Sequence, residues 1–226
     1  MANITFFVIT TQKNGERRRC IVETWGRRVE NLNFYSDHHS NVDRCIKVSE
    51  DTTYKSGMEK QIAVLNLLGR IGIDADRWYF FCDDDTYVNT DGINNYVGTA
   101  DKSFVHCNRL ILGECIAGLE KFVGSLEYPS GGAGFLVHGS LLSLLIPFAY
   151  KPTVYGDVAF GLNLLSKNSS RQWYKDPGRF FSQSPETCGH DVPLKGALSY
   201  HYIKIESQFQ RLYRHYGLVN LIRIYF

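Results

Sequence analysis

A chain of 226 residues with 44% apolar and 21% charged residues is long enough to bury one sizeable core and has the balance of a folded globular protein. Its net charge of +2 is too small to make nucleic acid the main partner, and no basic run is interleaved with aromatics. No stretch approaches the ~20 apolar residues of a membrane span.

In chain order, Asn3–Thr10 is rich in β-branched and aromatic residues and predicts a buried first strand, followed by a turn through Thr10-Thr11-Gln12-Lys13-Asn14-Gly15. Glu16–Arg28 predicts a helix with Ile21, Val22 and Trp25 on one face and Arg17, Arg18 and Arg19 near its start. Asn33–Ser36 and Arg44–Val48 predict short strands, Gly57–Leu68 an amphipathic helix, and Trp78–Cys82 another buried strand. Strands alternating with helices in this way indicate an α/β protein with a parallel sheet. Downstream, the sequence predicts a helix at Thr90–Val97, a strand at Ser103–His106 and a turn of small residues at Tyr128–Gly134 that leads into Phe135–Val137. A helix at Leu141–Ile146 is stopped by Pro147, and Asp157–Leu165 predicts another. Asn168–Val192 reads as a polar loop and Leu198–Ile205 as an alternating strand. Phe209–Phe226 mixes Arg211, Arg214 and Arg223 with apolar residues, which suits docking on the domain or a peripheral contact with a membrane surface. No repeat or linker divides the chain.

The six cysteines, at 20, 45, 82, 107, 115 and 188, show no CxxC and no metal-type spacing, so a reduced compartment is expected. The first apolar run lacks the basic leader and small-residue cleavage site of a signal peptide. A cytoplasmic or membrane-peripheral location is the expectation.

Chemistry concentrates in Asp83-Asp84-Asp85, at the C-terminal end of the Trp78–Cys82 strand. Adjacent carboxylates repel, so they need water, a cation or hydrogen bonds to coexist. Along extended backbone Asp83 and Asp85 face one way and Asp84 the other. One carboxylate can then hold a divalent metal while its neighbour holds a hydroxyl or a phosphate-bearing ligand. Hard oxygen ligands suit magnesium or manganese better than zinc. An acidic loop in solvent is the plain alternative, but open α/β sheets bind ligands at strand C-termini. An EF-hand and a haloacid-dehalogenase-type phosphatase both fit poorly, because Tyr87 stands where each needs a different residue.

Four other features each have two readings. Gly131-Gly132-Ala133-Gly134 is a tight turn entering a strand, or a place where backbone approaches a ligand; it is neither a Walker loop nor GxGxxG. Asp157 opens a helix as a cap, or serves as a general base. His201 is a structural strand histidine, or a metal ligand given a carboxylate partner. Arg17–Arg19 are a solvated helix face, or a phosphate-binding group.

Taken in order, these pieces resemble glycosyltransferase family 31, the inverting β-1,3-transferases that include Fringe and the core 1 O-glycan galactosyltransferase. The matching segments are Arg17–Arg28 (RRRCIVETWGRR), Arg77–Asn89 (RWYFFCDDDTYVN), Tyr128–Val137 (YPSGGAGFLV), Gly156–Leu165 (GDVAFGLNLL), Arg179–Glu186 (RFFSQSPE) and Leu198–Lys204 (LSYHYIK). The resemblance implies a GT-A fold, with a Rossmann-like nucleotide-binding half over about 1–90 merged with an acceptor half over 91–208 around one sheet. It also implies a UDP-sugar donor, UDP-galactose ahead of UDP-N-acetylglucosamine, a glycan acceptor, and Mn2+ or Mg2+ at the Asp cluster. On that resemblance Asp85 and His201 are metal ligands and Asp157 is the base. Thr10, Thr11, Arg17, Asp84 and the turn Gly131, Gly132, Ala133 and Gly134 contact the nucleotide sugar. Asp83 receives no role.

The chain departs from the family in having no anchor or stem, no cysteine in Gly57–Leu68, and Leu136 where Fringe has Cys. A Golgi-luminal location is the expectation only for a trimmed catalytic domain. A non-catalytic sugar-nucleotide or glycan-binding module and a metal-dependent phosphohydrolase are the alternative functions.

Overall fold

The computed structural model describes residues 3–41, 45–52, 56–112, 126–147, 156–167, 173–190 and 193–224, with backbone only at 56–58, 109–112, 126, 165 and 218–224. The first half runs β1 (Ile4–Ile9), α1 (Gly15–Glu23), β2 (Asn31–Ser36), β3 (Cys45–Lys47), α2 (Ser56–Ile71), β4 (Trp78–Asp83). It continues with β5 (Tyr87–Val88), α3 (Thr90–Val97), β6 (Val105–Cys107), β7 (Arg109–Leu112), β8 (Leu126–Pro129) and β9 (Phe135–His138). The remainder is α4 (Gly139–Leu145), α5 (Gly156–Ser166), β10 (Trp173–Lys175), β11 (Phe180–Phe181), β12 (Ser199–Tyr200) and α6 (Glu206–Ile224).

Seven strands form one mixed sheet in the order β10-β6-β9-β4-β1-β2-β3. The segment β4-β1-β2-β3 is parallel, and β9 runs antiparallel between β4 and β6. The sheet is continuous from the N-terminal strands to β10, so this is the α/β arrangement of the GT-A type expected from the sequence. From β1 the chain progresses one way to β2 and β3, then returns to place β4 on the other side of β1. That reversal makes the C-terminal ends of β1 and β4 the switch point of the sheet, the place at which open α/β sheets bind ligands. Ile9 and Asp83 are register partners there.

Period-2 alternation sorts side chains into two cores. Phe6, Val8, Phe80 and Cys82 face a layer built from Cys20, Ile21, Trp25, Ile93, Val97, Phe209, Leu212 and Tyr216. Phe7, Tyr79, Phe81, Phe135 and Val137 face Val64, Leu65, Leu68, Leu141, Leu142, Phe160 and Leu164. Each such fully buried aromatic or aliphatic side chain contributes about 1.5–3 kcal/mol over exposure, so β4 is fixed from both faces up to the aspartates. The start of α6 is docked in the first core through Phe209, Leu212 and Tyr216. No helix among the described residues is long and apolar enough to cross a membrane.

Three predicted elements differ. The helix expected over Glu16–Arg28 ends at Glu23 and gives way to a 3-10 turn at Trp25–Arg28. Thr24 leaves helical geometry at ψ −110°, and its hydroxyl donates to the Cys20 carbonyl at 2.5 Å. The break swings Trp25 inward, where its indole N–H donates to the Thr86 carbonyl at 3.2 Å. The strand expected over Leu198–Ile205 is only two residues long, because Tyr202 has a left-handed φ of 59°. The loop expected over Asn168–Val192 contains β10 and β11; residues 168–172 and 191–192 lie outside the described residues. Among the described residues Cys20, Cys45, Cys82, Cys107 and Cys188 form no disulfide, and Cys115 lies outside the described residues.

Candidate active site

β4 ends at Asp83, and the chain turns at once: the Thr86 N–H donates to the Asp83 carbonyl at 3.3 Å. Asp84 and Asp85 are therefore aimed by a turn rather than by strand pleat, but the division of faces is the one expected. Asp84 points towards the end of β1. Its Oδ2 accepts from the Thr10 hydroxyl at 2.6 Å and the Asn14 amide at 2.8 Å, and its Oδ1 accepts from Arg17 Nη1 at 2.9 Å. Burial raises the Asp84 pKa in spite of these three donors. Asp84 is thus saturated by the protein and holds Thr10 and Arg17 in place. Thr11 follows Thr10 in the chain, and its carbonyl accepts from Arg18 at 2.5 Å.

Asp83 and Asp85 turn the other way and meet His201. The metal-ligating atoms of Asp83, Asp85 and His201 all lie within 4.8 Å of one another. At that separation two ionised carboxylates repel by roughly 3 kcal/mol at an effective dielectric of about 20. Burial and the neighbouring Asp85 push the Asp83 carboxyl up to about 7. Asp85 is held down: burial would raise it, but His201 Nε2 at 2.9 Å and the Arg17 guanidinium at 3.9 Å outweigh that. His201 is raised in turn, its burial offset by the Asp85 hydrogen bond.

The glycine-rich turn joins the pieces. The Gly131 N–H donates to Asp157 Oδ2 at 3.1 Å. A Cβ on Gly132 would overlap the His201 ring, and one on Gly134, which has a φ of 79°, would overlap Phe80. The turn's carbonyls are tied down as well: Thr86 donates to the Gly132 carbonyl at 2.6 Å, and Ser199 donates to that of Ala133. The glycines are thus required by the protein's own side chains.

Asp157 sits in the first turn of α5, with Oδ1 accepting the Val158 N–H at 2.9 Å. Burial raises its pKa, against the backbone hydrogen bonds from Gly131 and Val158. Each oxygen keeps accepting capacity, as a general base needs. His201 is close enough to Asp157 for its charge to act on that carboxylate.

His201 reaches the cluster because β12 pairs antiparallel with β5, directly after the aspartates, and the Ile203 N–H donates to the Asp85 carbonyl at 2.9 Å. A left-handed φ costs a non-glycine residue such as Tyr202 ~1–3 kcal/mol and is often found at functional sites. The structure thus brings together Thr10, Arg17, Asp84, Asp85, Gly131, Gly132, Asp157 and His201. It adds Asp83, Asn14, Thr86 and Ser199. Strand alternation had already paired Asp83 with Asp85; the hydroxyl and amide donors carry no sequence signal of their own.

Fold and site together define a class: an α/β protein whose sheet switch point carries a carboxylate–imidazole site suited to a divalent cation, next to a carboxylate at a helix start. The Fringe-like family model matches residues 1–159 of the 226, and the chain belongs to that family. The matched span includes the aspartates, the glycine turn and Asp157, but not His201. No curated protein matches the chain in sequence. Among solved structures it is similar to the apo form of the glycosyltransferase GlyE of Streptococcus pneumoniae TIGR4, with 15% identity, a TM-score of 0.46, 90% of this chain covered and 55% of that one. A second GlyE structure gives 14% identity and a TM-score of 0.46, over 88% of this chain and 55% of that one. The chain spans about half the length of those structures.

Proposed function

We propose that the chain is a divalent-metal-dependent, inverting glycosyltransferase. It moves a hexose or N-acetylhexosamine from a UDP-sugar, UDP-galactose ahead of UDP-N-acetylglucosamine, to a glycan hydroxyl and forms a β-1,3 linkage. Membership of the Fringe-like family supports this reading. The observation that carries it is the convergence of Asp83, Asp85 and His201 beside Gly132, with Asp157 held by the N–H of the adjacent Gly131.

A divalent cation fits the site: the ligand atoms of two carboxylates and one imidazole converge, and Gly132 leaves room for the imidazole. Asp83, Asp85 and His201 would hold the cation, which as a Lewis acid stabilises charge on the diphosphate leaving group. Manganese is favoured, with magnesium as the substitute.

The remaining roles belong to the chain's own groups. The N-terminal half, about 1–90, binds the nucleotide, and residues 91–208 supply the acceptor side. Thr10, Thr11 and Arg17 face the donor, and Asp84 acts through the Thr10 and Arg17 groups it holds. Asp157 takes the proton of the acceptor hydroxyl as the acceptor oxygen bonds to the anomeric carbon. The bond from that carbon to the β-phosphate oxygen breaks, and its electron pair leaves with UDP. One displacement inverts the anomeric centre, so an α-linked donor gives a β-linked product without a covalent intermediate.

The test is a screen of UDP-sugars with Mn2+, recording UDP release with and without a panel of glycan acceptors. Acceptor-dependent release of UDP from one donor is expected. Release of inorganic phosphate from simple esters instead would replace this reading with a phosphohydrolase.

A further inference from the structure

Among the described residues, a cation near the site, Lys204, has no role above. Lys204 lies three residues after His201, on the far side of the left-handed Tyr202. Its backbone is pinned on both sides: the Ile203 N–H donates to the Asp85 carbonyl at 2.9 Å, and the Lys204 N–H donates to Gln208 Oε1 at 2.9 Å. The side chains form a layered stack. The Tyr202 ring lies 4.1 Å from the His201 ring, and Lys204 Nζ lies 4.8 Å from the Tyr202 ring centroid. The ammonium makes no ion pair with any carboxylate among the described residues, in contrast to Arg17, which is bound to Asp84.

An exposed lysine free of carboxylates normally extends into water. This one is held over an aromatic face beside an acidic cluster, and its charge acts on Asp85. Tyr202 remains 42% exposed, so the stack faces solvent and not a packed interior. Charge supplies the reason for such an arrangement. A nucleoside diphosphate ester brings two negative charges to a site that already holds four carboxylates, and bond cleavage adds a third to the terminal phosphate. Arg17 and His201 are already committed to Asp84 and Asp85.

We propose that Tyr202 and Lys204 form a diphosphate-binding arm, in which the strained Tyr202 backbone and ring present the Lys204 ammonium to the terminal phosphate of a nucleoside diphosphate. This rests on the proposed donor class and assigns a further residue to it. Lysine acts as a mobile point charge, suited to following a phosphate whose charge grows during cleavage.

The test is calorimetric binding of UDP, UMP and Mn2+ alone to the whole chain, before any assay of transfer. In the presence of Mn2+, Lys204→Ala should weaken UDP by about 10–100-fold and UMP by less than about twofold, with Mn2+ binding alone retained. Lys204→Arg should recover most of the UDP affinity. Tyr202→Gly, which accepts the left-handed φ but removes the ring, should weaken UDP in the same direction by a smaller factor. Equal losses for UDP and UMP, or no loss for either, would overturn the arm. Tighter Mn2+ binding with an unchanged ratio of UDP to UMP affinity would overturn it too, leaving Lys204 as a counter-charge to Asp85. If the unaltered chain binds neither nucleotide with Mn2+, the donor reading itself fails, and the arm falls with it.

Discussion

Two parallel strands of one sheet, β2 and β4, both end in a buried carboxylate group, and the two ends are resolved in opposite ways. At the end of β2, Asp37 accepts from the Gln12 N–H and the Ser36 hydroxyl, each at 2.7 Å, and faces Lys60 at 4.0 Å. Both side chains of that pair are 1% exposed, so the charge is balanced inside the protein. At the end of β4, Asp84 is likewise satisfied from within, but Asp83 and Asp85 share one imidazole. The two ends differ not in burial but in charge: one carboxylate faces one ammonium after β2, whereas two carboxylates share one imidazole after β4.

The largest expected effect breaks the link between that cation site and its neighbouring base. Asp157→Asn should lower turnover by about 10²–10⁴-fold, while UDP and Mn2+ affinities measured by calorimetry stay close to those of the unaltered chain. Robust transfer by this variant would remove Asp157 from the chemistry. Next comes the balanced pair. Lys60→Met leaves Asp37 buried and uncompensated and should cost ~3–5 kcal/mol of stability, read from urea unfolding. Adding Asp37→Leu should recover much of it, and a fully additive double variant would show that the two groups are not a pair.

The cation site should behave differently. Asp85→Ala should weaken Mn2+ binding by more than about 100-fold. Asp37→Asn should leave Mn2+ affinity untouched; an equal loss in both variants would erase the distinction between the two strand ends. Gly132→Ala, which pushes on the His201 ring, should cost about 10–100-fold in Mn2+ affinity.

The smallest effect is one of pH, and its sign follows from the two carboxylates. Burial raises Asp157, and a base must be ionised to work, so kcat/KM should fall tenfold per pH unit below a midpoint above the ordinary aspartate value. Asp37 is the reverse. Burial pushes it up, but Ser36, the Gln12 N–H and Lys60 together hold it below the ordinary value. Its stabilising contribution is present above the unfolded pKa and is lost only as pH falls through the lower folded value. On acidification, activity should therefore be lost before stability; thermal unfolding that tracks the rate profile would contradict this.

Much of this was legible in the residues themselves. The apolar runs within Asn3–Thr10 and Trp78–Cys82 read as strands because every second side chain needs an apolar neighbour, and both cores take them up that way. The end of Glu16–Arg28 was not legible. Apolar spacing continues through Trp25, and only the Thr24 break with the inward indole shows why the helix stops. Asp37 gave no signal either, since a lone aspartate after a strand differs in no local way from a solvated one. Its meaning depends on Lys60, 23 positions further on, packing over it.

By itself, the order of apolar runs and the three adjacent aspartates determined an α/β sheet with a charged strand end, because side-chain alternation and carboxylate repulsion act between near neighbours in sequence. The tertiary structure decided which aspartate is satisfied by hydroxyl, amide and guanidinium donors and which two converge on one imidazole. That outcome depends on Thr10 and Arg17 arriving from β1 and α1, and on His201 arriving from β12 past a glycine that leaves it room. Charge compensation is a sum over space, and the residues that complete the sum lie more than 60 positions from the aspartates along the chain.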